Sequence, residues 1–270
     1  MITFEVYIYK LIGDSELEQI SFFHSKFFIS TVSIVKDFIL LGDAYSSVQF
    51  LVWRELDNSL TLLGCDYDKS HAMAISFIID DTSLGMVVAD GEQNIRLLQY
   101  NPLSLESKQG YRLINLADFH LGSVVSLLLP HASVGGSNGA TYNSGTRFDR
   151  LQRVSKSCMS RTGSIIGSYD GGVGMLLPID EKVYRRLALL QQIMGTVIPA
   201  RFGLNSRDFR KLKCLYPKVS AKRSILDGKL LSNYLVLDES IQDDIATAMG
   251  TTAETVLENL LEIDILLSYF

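Results

Sequence analysis

Leu84–Tyr100 reads LGMVVADGEQNIRLLQY: an apolar run, a polar turn opening on Asp90-Gly91, and a second apolar run that closes on an aromatic residue. Short apolar runs flanking an Asp-Gly turn are the mark of a β-hairpin, because Asp and Gly tolerate the positive φ of a tight turn. The unit recurs on both sides. Phe38–Gly42, Asp43 and Val48–Trp53 precede it; Ser164–Tyr169, Asp170 and Val173–Leu177 follow it, with Asp170-Gly171-Gly172 at the turn. The first two Asp turns are 47 residues apart, close to the roughly 40 to 50 residues of a four-stranded propeller blade.

The next interval is 80 residues, and its excess coincides with 131–163, a stretch of Gly, Ser, Asn and Arg without apolar periodicity that reads as an exposed insertion. Ser59–Cys65 and Arg112–Asp118 supply further strands between the hairpins. The expected fold is therefore mainly β then α: about three β-propeller blades over 1–178, a partial propeller, followed by a small helical C-terminal domain over 179–270. Three blades cannot close a ring whose usual minimum is about four, so the repeat count implies either further blades upstream, the favoured reading, or an open, distorted sheet.

After Pro178 the apolar period changes from two to 3.6, with Val183, Tyr184, Leu187, Leu190, Met194 and Val197 on one stripe. Asp180 is placed to start this helix and Pro199 to stop it. Further helices are expected over Ser206–Lys213, over Gly228–Leu235 with Asp227 as cap, and over Asp238–Met249 ending at Gly250. A last one opens on Thr251-Thr252-Ala253-Glu254, read as a capping box.

Of the 270 residues, 47% are hydrophobic and 20% charged, which suits a folded chain, and no apolar run approaches the roughly 18 residues of a membrane span. No membrane partner is expected. Met1–Lys10 lacks the features of a secretory leader, and Cys65, Cys158 and Cys214 form neither a CxxC pair nor an even set. A reducing compartment fits.

No catalytic constellation emerges. Asp66-Tyr67-Asp68 could pair carboxylates on a metal, but no further ligands accompany them, and an exposed turn is the simpler reading. His24, His71, His120 and His131 are too scattered for a metal motif and are read as core or surface residues. Gly135, Gly136 and Gly139 lack the Gly-Lys-Ser/Thr of a phosphate loop, and Gly172-Val173-Gly174 precedes a strand rather than a helix. Neither a cofactor nor a metal is expected.

The net charge of -5 hides a local asymmetry. Arg201, Arg207, Arg210, Lys211, Lys213, Lys218, Lys222 and Arg223 are opposed only by Asp208, and Phe202, Phe209 and Tyr216 lie among them. Such a segment can contact phosphates and stack bases, or it can be a solvated helix face that pairs with acidic protein. Arg147, Arg150, Arg153, Lys156 and Arg161 raise the same alternative in the insertion. From Leu230 to Phe270 there is no Lys or Arg, while Asp238, Glu239, Asp243, Asp244, Glu254, Glu258, Glu262 and Asp264 accumulate.

The run Ser168–Pro178 continuing through Glu181–Leu187, together with Gly203–Arg210, Leu226–Leu235 and Met249–Thr252, resembles the C-terminal region of the family of the largest cleavage and polyadenylation specificity factor subunit. Val35–Leu40 and Ala117–Gly122 extend the resemblance over nearly the whole chain. Related scaffolds of DNA-damage recognition and of splicing share the architecture, and the Tyr184-Arg185-Arg186 and Gly203-Leu204-Asn205 blocks favour the polyadenylation branch. The resemblance implies three propellers plus a helical domain, of which this chain would hold the last blades and that domain. It implies a nuclear, non-enzymatic scaffold of pre-mRNA 3′-end processing. Its expected partners are a WD-repeat subunit and a zinc-finger subunit that read the polyadenylation signal, with RNA contacted through them or directly. The motifs that carry the resemblance are hairpin turns, caps and helix faces.

Overall fold

The computed structural model describes residues 4–13, 16–25, 28–80, 83–132, 162–197, 210–215, 221 and 223–268. They fall into two compact units. One lies within Met1–Pro130, Ser164–Leu176 and Arg210–Ser224, and the other holds the helices of Leu177–Phe209 and Ile225–Phe270.

The first unit is a series of antiparallel meanders laid down in chain order. A hairpin of β1 (Phe4–Ile12) and β2 (Glu16–Ser25) comes first. Next, β3 (Ile29–Val35), β4 (Phe38–Asp43), β5 (Ser47–Arg54) and β6 (Ser59–Cys65) make a four-stranded sheet. The second sheet consists of β7 (Ala72–Asp80), β8 (Ser83–Asp90), β9 (Asn94–Gln99) and β10 (Ile114–His120), with β14 (Arg223–Ser224) added at its edge. The third has β11 (Val125–Ala132), β12 (Thr162–Ser168) and β13 (Val173–Leu176), and no sheet closes on itself. The three hairpins of the repeat are all present: Phe38 faces Val52 across β4 and β5, Ala89 faces Ile95 across β8 and β9, and Gly167 faces Val173 across β12 and β13. Most of the insertion, and with it Cys158 and the five cations expected there, lies outside the described residues.

The turn chemistry differs from expectation at the second hairpin. The left-handed residue is Gln93, at φ 68°, and not Gly91. Asp90 sets this turn through its side chain: Oδ1 accepts the N–H of Glu92 at 3.0 Å and of Asn94 at 2.9 Å. An Asx turn of this kind needs no glycine. At the third hairpin the expectation holds, with Gly171 at φ +79°.

Strand alternation builds the core. On β4, Leu40 faces a cluster with Phe50, Phe77, Met86, Val88 and Leu98 between the first and second sheets, while Ile39 and Leu41 face Leu51, Leu60 and the Val6, Ile8 and Phe23 side chains of the hairpin. A strand buried on both faces reads as a continuous apolar run, which is what Phe38–Leu41 shows. Phe50 anchors the inter-sheet cluster, with its ring centroid 5.4 Å from Phe38, 6.2 Å from Phe77 and 5.7 Å from Tyr100.

One charge is locked into this packing. Arg96 on β9 is fully buried, and its Nη1 donates to Asp66 Oδ2 at 2.9 Å and Asp68 Oδ2 at 3.2 Å. Its Nη2 donates to Ser47 Oγ at 3.0 Å and Ser70 Oγ at 2.8 Å, and Ser47 Oγ donates to Asp66 Oδ2 at 2.6 Å. The carboxylates considered as a metal pair are thus turned onto a guanidinium. Asp66 is buried while Tyr67 is 64% exposed, so the reading of this stretch as an exposed turn is corrected at Asp66 and holds at Tyr67.

The helical unit contains α1 (Glu181–Val197), α2 (Gly228–Ser232), α3 (Glu239–Ala248) and α4 (Ala253–Ser268), with a 3-10 turn at Asn233–Val236. The expected stripe of α1 buries Leu187, Leu190 and Met194, while Val197 at its end is exposed. These three pack with Leu231, Tyr234, Ile245, Val256 and Leu260. Asp227 caps α2 as expected, accepting from Lys229 and Leu230 N–H, and its own N–H donates to Gln191 Oε1 on α1 at 2.7 Å. Gly250 follows α3 at φ +72°. The start of α4 is one residue later than the expected capping box. Thr252 accepts the Thr255 N–H at 3.4 Å, so the third helical residue is Thr255 and not Glu254.

Replacing Arg96 by Leu leaves Asp66 buried without its cation, which should destabilise the strand unit by about 3 to 5 kcal/mol. Urea unfolding followed by the fluorescence of the single tryptophan, Trp53, reads it. A loss under about 1 kcal/mol would show that the sheets do not depend on the pair.

Candidate functional site

The described part of the basic segment departs from the helix expected over Ser206–Lys213, whose residues 206–209 lie outside the described ones. It begins with a turn at Arg210, φ 58°, and runs on irregularly to Leu215. The backbone groups a helix would use are engaged by the second sheet. Lys213 N–H donates to Asn94 Oδ1 at 3.2 Å, and Lys213 O accepts from Asn94 Nδ2 at 2.8 Å. Leu215 N–H donates to Glu92 Oε1 at 3.1 Å, and Ala221 N–H to Asp118 Oδ2 at 2.6 Å. Arg223 and Ser224 then pair in parallel with Ala117 and Asp118 of β10. The segment is a strap laid along a sheet edge, held largely through its main chain. Tertiary bonds that satisfy the backbone displace a marginal helix.

Three residues of the second sheet organise the strap. Asn94, fully buried at the start of β9, sends Nδ2 to both carboxylate oxygens of Asp90, at 3.2 and 3.1 Å. Because Asp90 and the Lys213 carbonyl only accept, the amide nitrogen must face them, and Oδ1 faces His120 Nδ1 at 3.0 Å. His120 therefore donates from Nδ1. Its main chain is tied to the strap as well: His120 N–H donates to Arg210 O at 3.0 Å and His120 O accepts from Arg210 Nη1 at 3.3 Å. Arg210 Nη1 also bonds the Leu121 carbonyl, and the guanidinium lies 5.1 Å above the Phe119 ring. Burial pushes the His120 imidazole below its usual value; Lys213 and then Arg210 push the same way, and Asp90 opposes them.

Of the eight cations singled out in the sequence, Arg210 thus serves the strap through its side chain, whereas Lys211, Lys213 and Arg223 expose theirs. Arg201, Arg207, Lys218 and Lys222 lie outside the described residues. Sequence reading did not single out Asp90, Asn94 and His120 as a group. A usable signal existed, because Asp43 with Ser47 and Asp90 with Asn94 repeat an Asp and a polar residue four positions on, at the same place in the repeat, and all four are buried. Among the described residues no group of three or more His, Cys, Asp and Glu side chains could hold a metal ion. No helix among them is long and apolar enough to cross a membrane.

The profile described as the CPSF A subunit region matches residues 2–236. The chain belongs to the CPSF A subunit family. It is similar to the probable cleavage and polyadenylation specificity factor subunit 1 of Oryza sativa subsp. japonica, 31% identical over 260 residues that cover 93% of this chain and 16% of the rice protein. Subunit 1 of Arabidopsis thaliana is 32% identical over 255 residues, covering 93% of this chain and 16% of its own length. The Drosophila melanogaster protein of that name is 31% identical over 267 residues, 98% of this chain and 18% of its own. The chain thus spans about a sixth of the length of these CPSF A relatives. The match takes in the sheets, the strap and helices α1 and α2.

Replacing Asn94 by Ala removes both main-chain bonds to Lys213 and should cost about 1 to 3 kcal/mol of stability. Lys213→Met, which leaves those bonds in place, should stay within about 0.5 kcal/mol. Equal losses in the two variants, by urea unfolding, would mean that the strap is held by the lysine side chain instead.

Proposed function

We propose that this chain is a non-catalytic scaffold segment of a nuclear assembly that cleaves and polyadenylates pre-mRNA, holding partner subunits that recognise the polyadenylation signal. The observation that carries the reading is the family match over residues 2–236. Two structural features support it. The polar groups an enzyme would use are consumed in structure: Arg96 holds Asp66 and Asp68, and Asn94 links Asp90, His120 and the strap. The meander sheets follow one another in chain order, as blades of a partial propeller do, and the exposed Tyr7, Tyr9 and Phe22 of the first hairpin give an apolar surface for a neighbouring element.

The partners we assign are a WD-repeat subunit and a zinc-finger subunit. Affinity purification of the full-length protein from nuclear extract should recover both, together with polyadenylation activity. Recovery of splicing or ubiquitin-ligase subunits in their place would reassign the scaffold to a sister complex.

A second reading is favoured by the exposed side chains of Lys211, Lys213 and Arg223, which line the outer side of the strap while its main chain faces the sheet. These cations, with Arg201, Arg207, Lys218 and Lys222, would contact RNA phosphates directly. Binding of a single-stranded RNA should then weaken with salt, each lost contact lowering the logarithmic slope by about 0.7. Joint neutralisation of Lys211, Lys213 and Arg223 that left affinity and slope unchanged would remove direct contact by the strap.

A further inference from the structure

Helix α4 is apolar on two opposite sides, and the helical core uses one of them. Val256, Leu260 and Ile263 pack into that core, with Val256 1% and Leu260 8% exposed. On the other side Leu257 and Leu261 remain 36% and 55% exposed. Residues four apart on a helix stand one above the other, so the two leucines form a single stripe. Glu254, Glu258 and Asp264 are exposed, and each lies three positions from one of these leucines, on the same side of the helix. A helix that is apolar on both sides is ordinarily covered on both.

The charge around the stripe says what covers it. Leu230–Phe270 contains no Lys or Arg, and Asp243 and Asp244 add exposed acid on α3. Nucleic acid and anionic lipid are repelled by such a surface, so the occupant is protein, and its charge is positive. An added strand is ruled out too, because the main-chain N–H and C=O groups inside α4 are spent on the helix itself. A contact made through side chains one turn apart is the contact of one helix with another.

We propose that the outer face of α4 is a docking surface for a basic amphipathic helix of a partner protein. Apolar residues of that helix bury Leu257 and Leu261, which carry the affinity, while its Lys or Arg residues meet Glu254, Glu258 and Asp264 and set its orientation. The face lies beyond residues 2–236, the part matched by the family profile, so the inference does not rest on the scaffold reading.

Titration of the whole chain with a synthetic helical peptide of about 20 residues tests this. The peptide carries a leucine stripe flanked by lysines; its control keeps the leucines and replaces every lysine by glutamate. The lysine peptide should bind roughly tenfold or more tightly than the control, with the gap narrowing as salt rises from about 0.05 to about 0.5 M. Leu257→Ala with Leu261→Ala should weaken it roughly tenfold while the circular dichroism melt stays that of the native chain. Should that melt fall, Glu254→Gln with Asp264→Asn reads the contact separately, through weaker binding and a flatter salt dependence. Glu55→Gln with Asp57→Asn removes the same charge from an exposed turn of the strand unit and should change neither. Absent or equal binding of the two peptides, binding unmoved by the leucine pair, or an equal loss in the Glu55 and Asp57 control overturns the proposal. So does a native chain that sediments as a dimer and becomes monomeric when the two leucines are replaced, since the face would then join two copies.

Discussion

Arg96 carries a full charge into the interior between two sheets, a cost that must be met by its partners. Desolvating a guanidinium costs several kcal/mol unless its donors are bonded, and here two carboxylates and two hydroxyls take Nη1 and Nη2, while Nε is buried without a partner among the described residues. Those partners come from the first residue of β5 and from the crossing between the first and second sheets. The guanidinium therefore fixes where the chain leaves one meander and how it enters the next. The aromatic packing around Phe50 would tolerate small slips of one sheet over another, because dispersion is non-directional, whereas a forked donor with four acceptors would not.

The strap repeats this logic one unit later. Ser47 and Asn94 occupy the same place in successive hairpins, each four residues after a buried Asp. Ser47 reaches to Arg96 and Asp66, which tie the first sheet to the second. Asn94 reaches instead to Lys213, so at the second sheet the equivalent position holds a segment that returns from much later in the chain. Recognition there is mainly of backbone, through an amide that donates and accepts at once. The lysine side chains stay outside, and one contact can thus serve the fold while leaving positive charge at the surface.

The helical unit is built on different terms. Its core is apolar, and its polar fixtures are local: Asp227 bridges α2 and α1 through its cap and its N–H, and Tyr234 exchanges bonds with Gln242. Burial, with Asp243 nearby, raises the Tyr234 hydroxyl above its usual value, so it stays a neutral donor to the Gln242 carbonyl. The acidic residues Asp243, Asp244 and Glu254 lie on the outside of α3 and α4.

The local grammar of the chain was sufficient for the three hairpins of its repeat, its change from strands to helices, and the cap at Asp227. Each depends on residues close in sequence: apolar alternation around Asp43, Asp90 and Asp170, the 3.6-residue stripe from Val183 to Met194, and Asp227 before α2. Phe4–Ser25, outside the repeat, was not read as a hairpin, since nothing downstream shares its spacing. Tertiary structure alone decided what the polar and basic residues do. Asp66 and Asp68 read as solvent-facing until Arg96, 30 and 28 residues on, is brought onto them. Ser206–Lys213 read as helix; the main-chain partner that holds its described end at Lys213, Asn94, lies 119 residues away. Bonds between such distant positions leave no period in a sequence, and their energy exists only once both ends have been brought together.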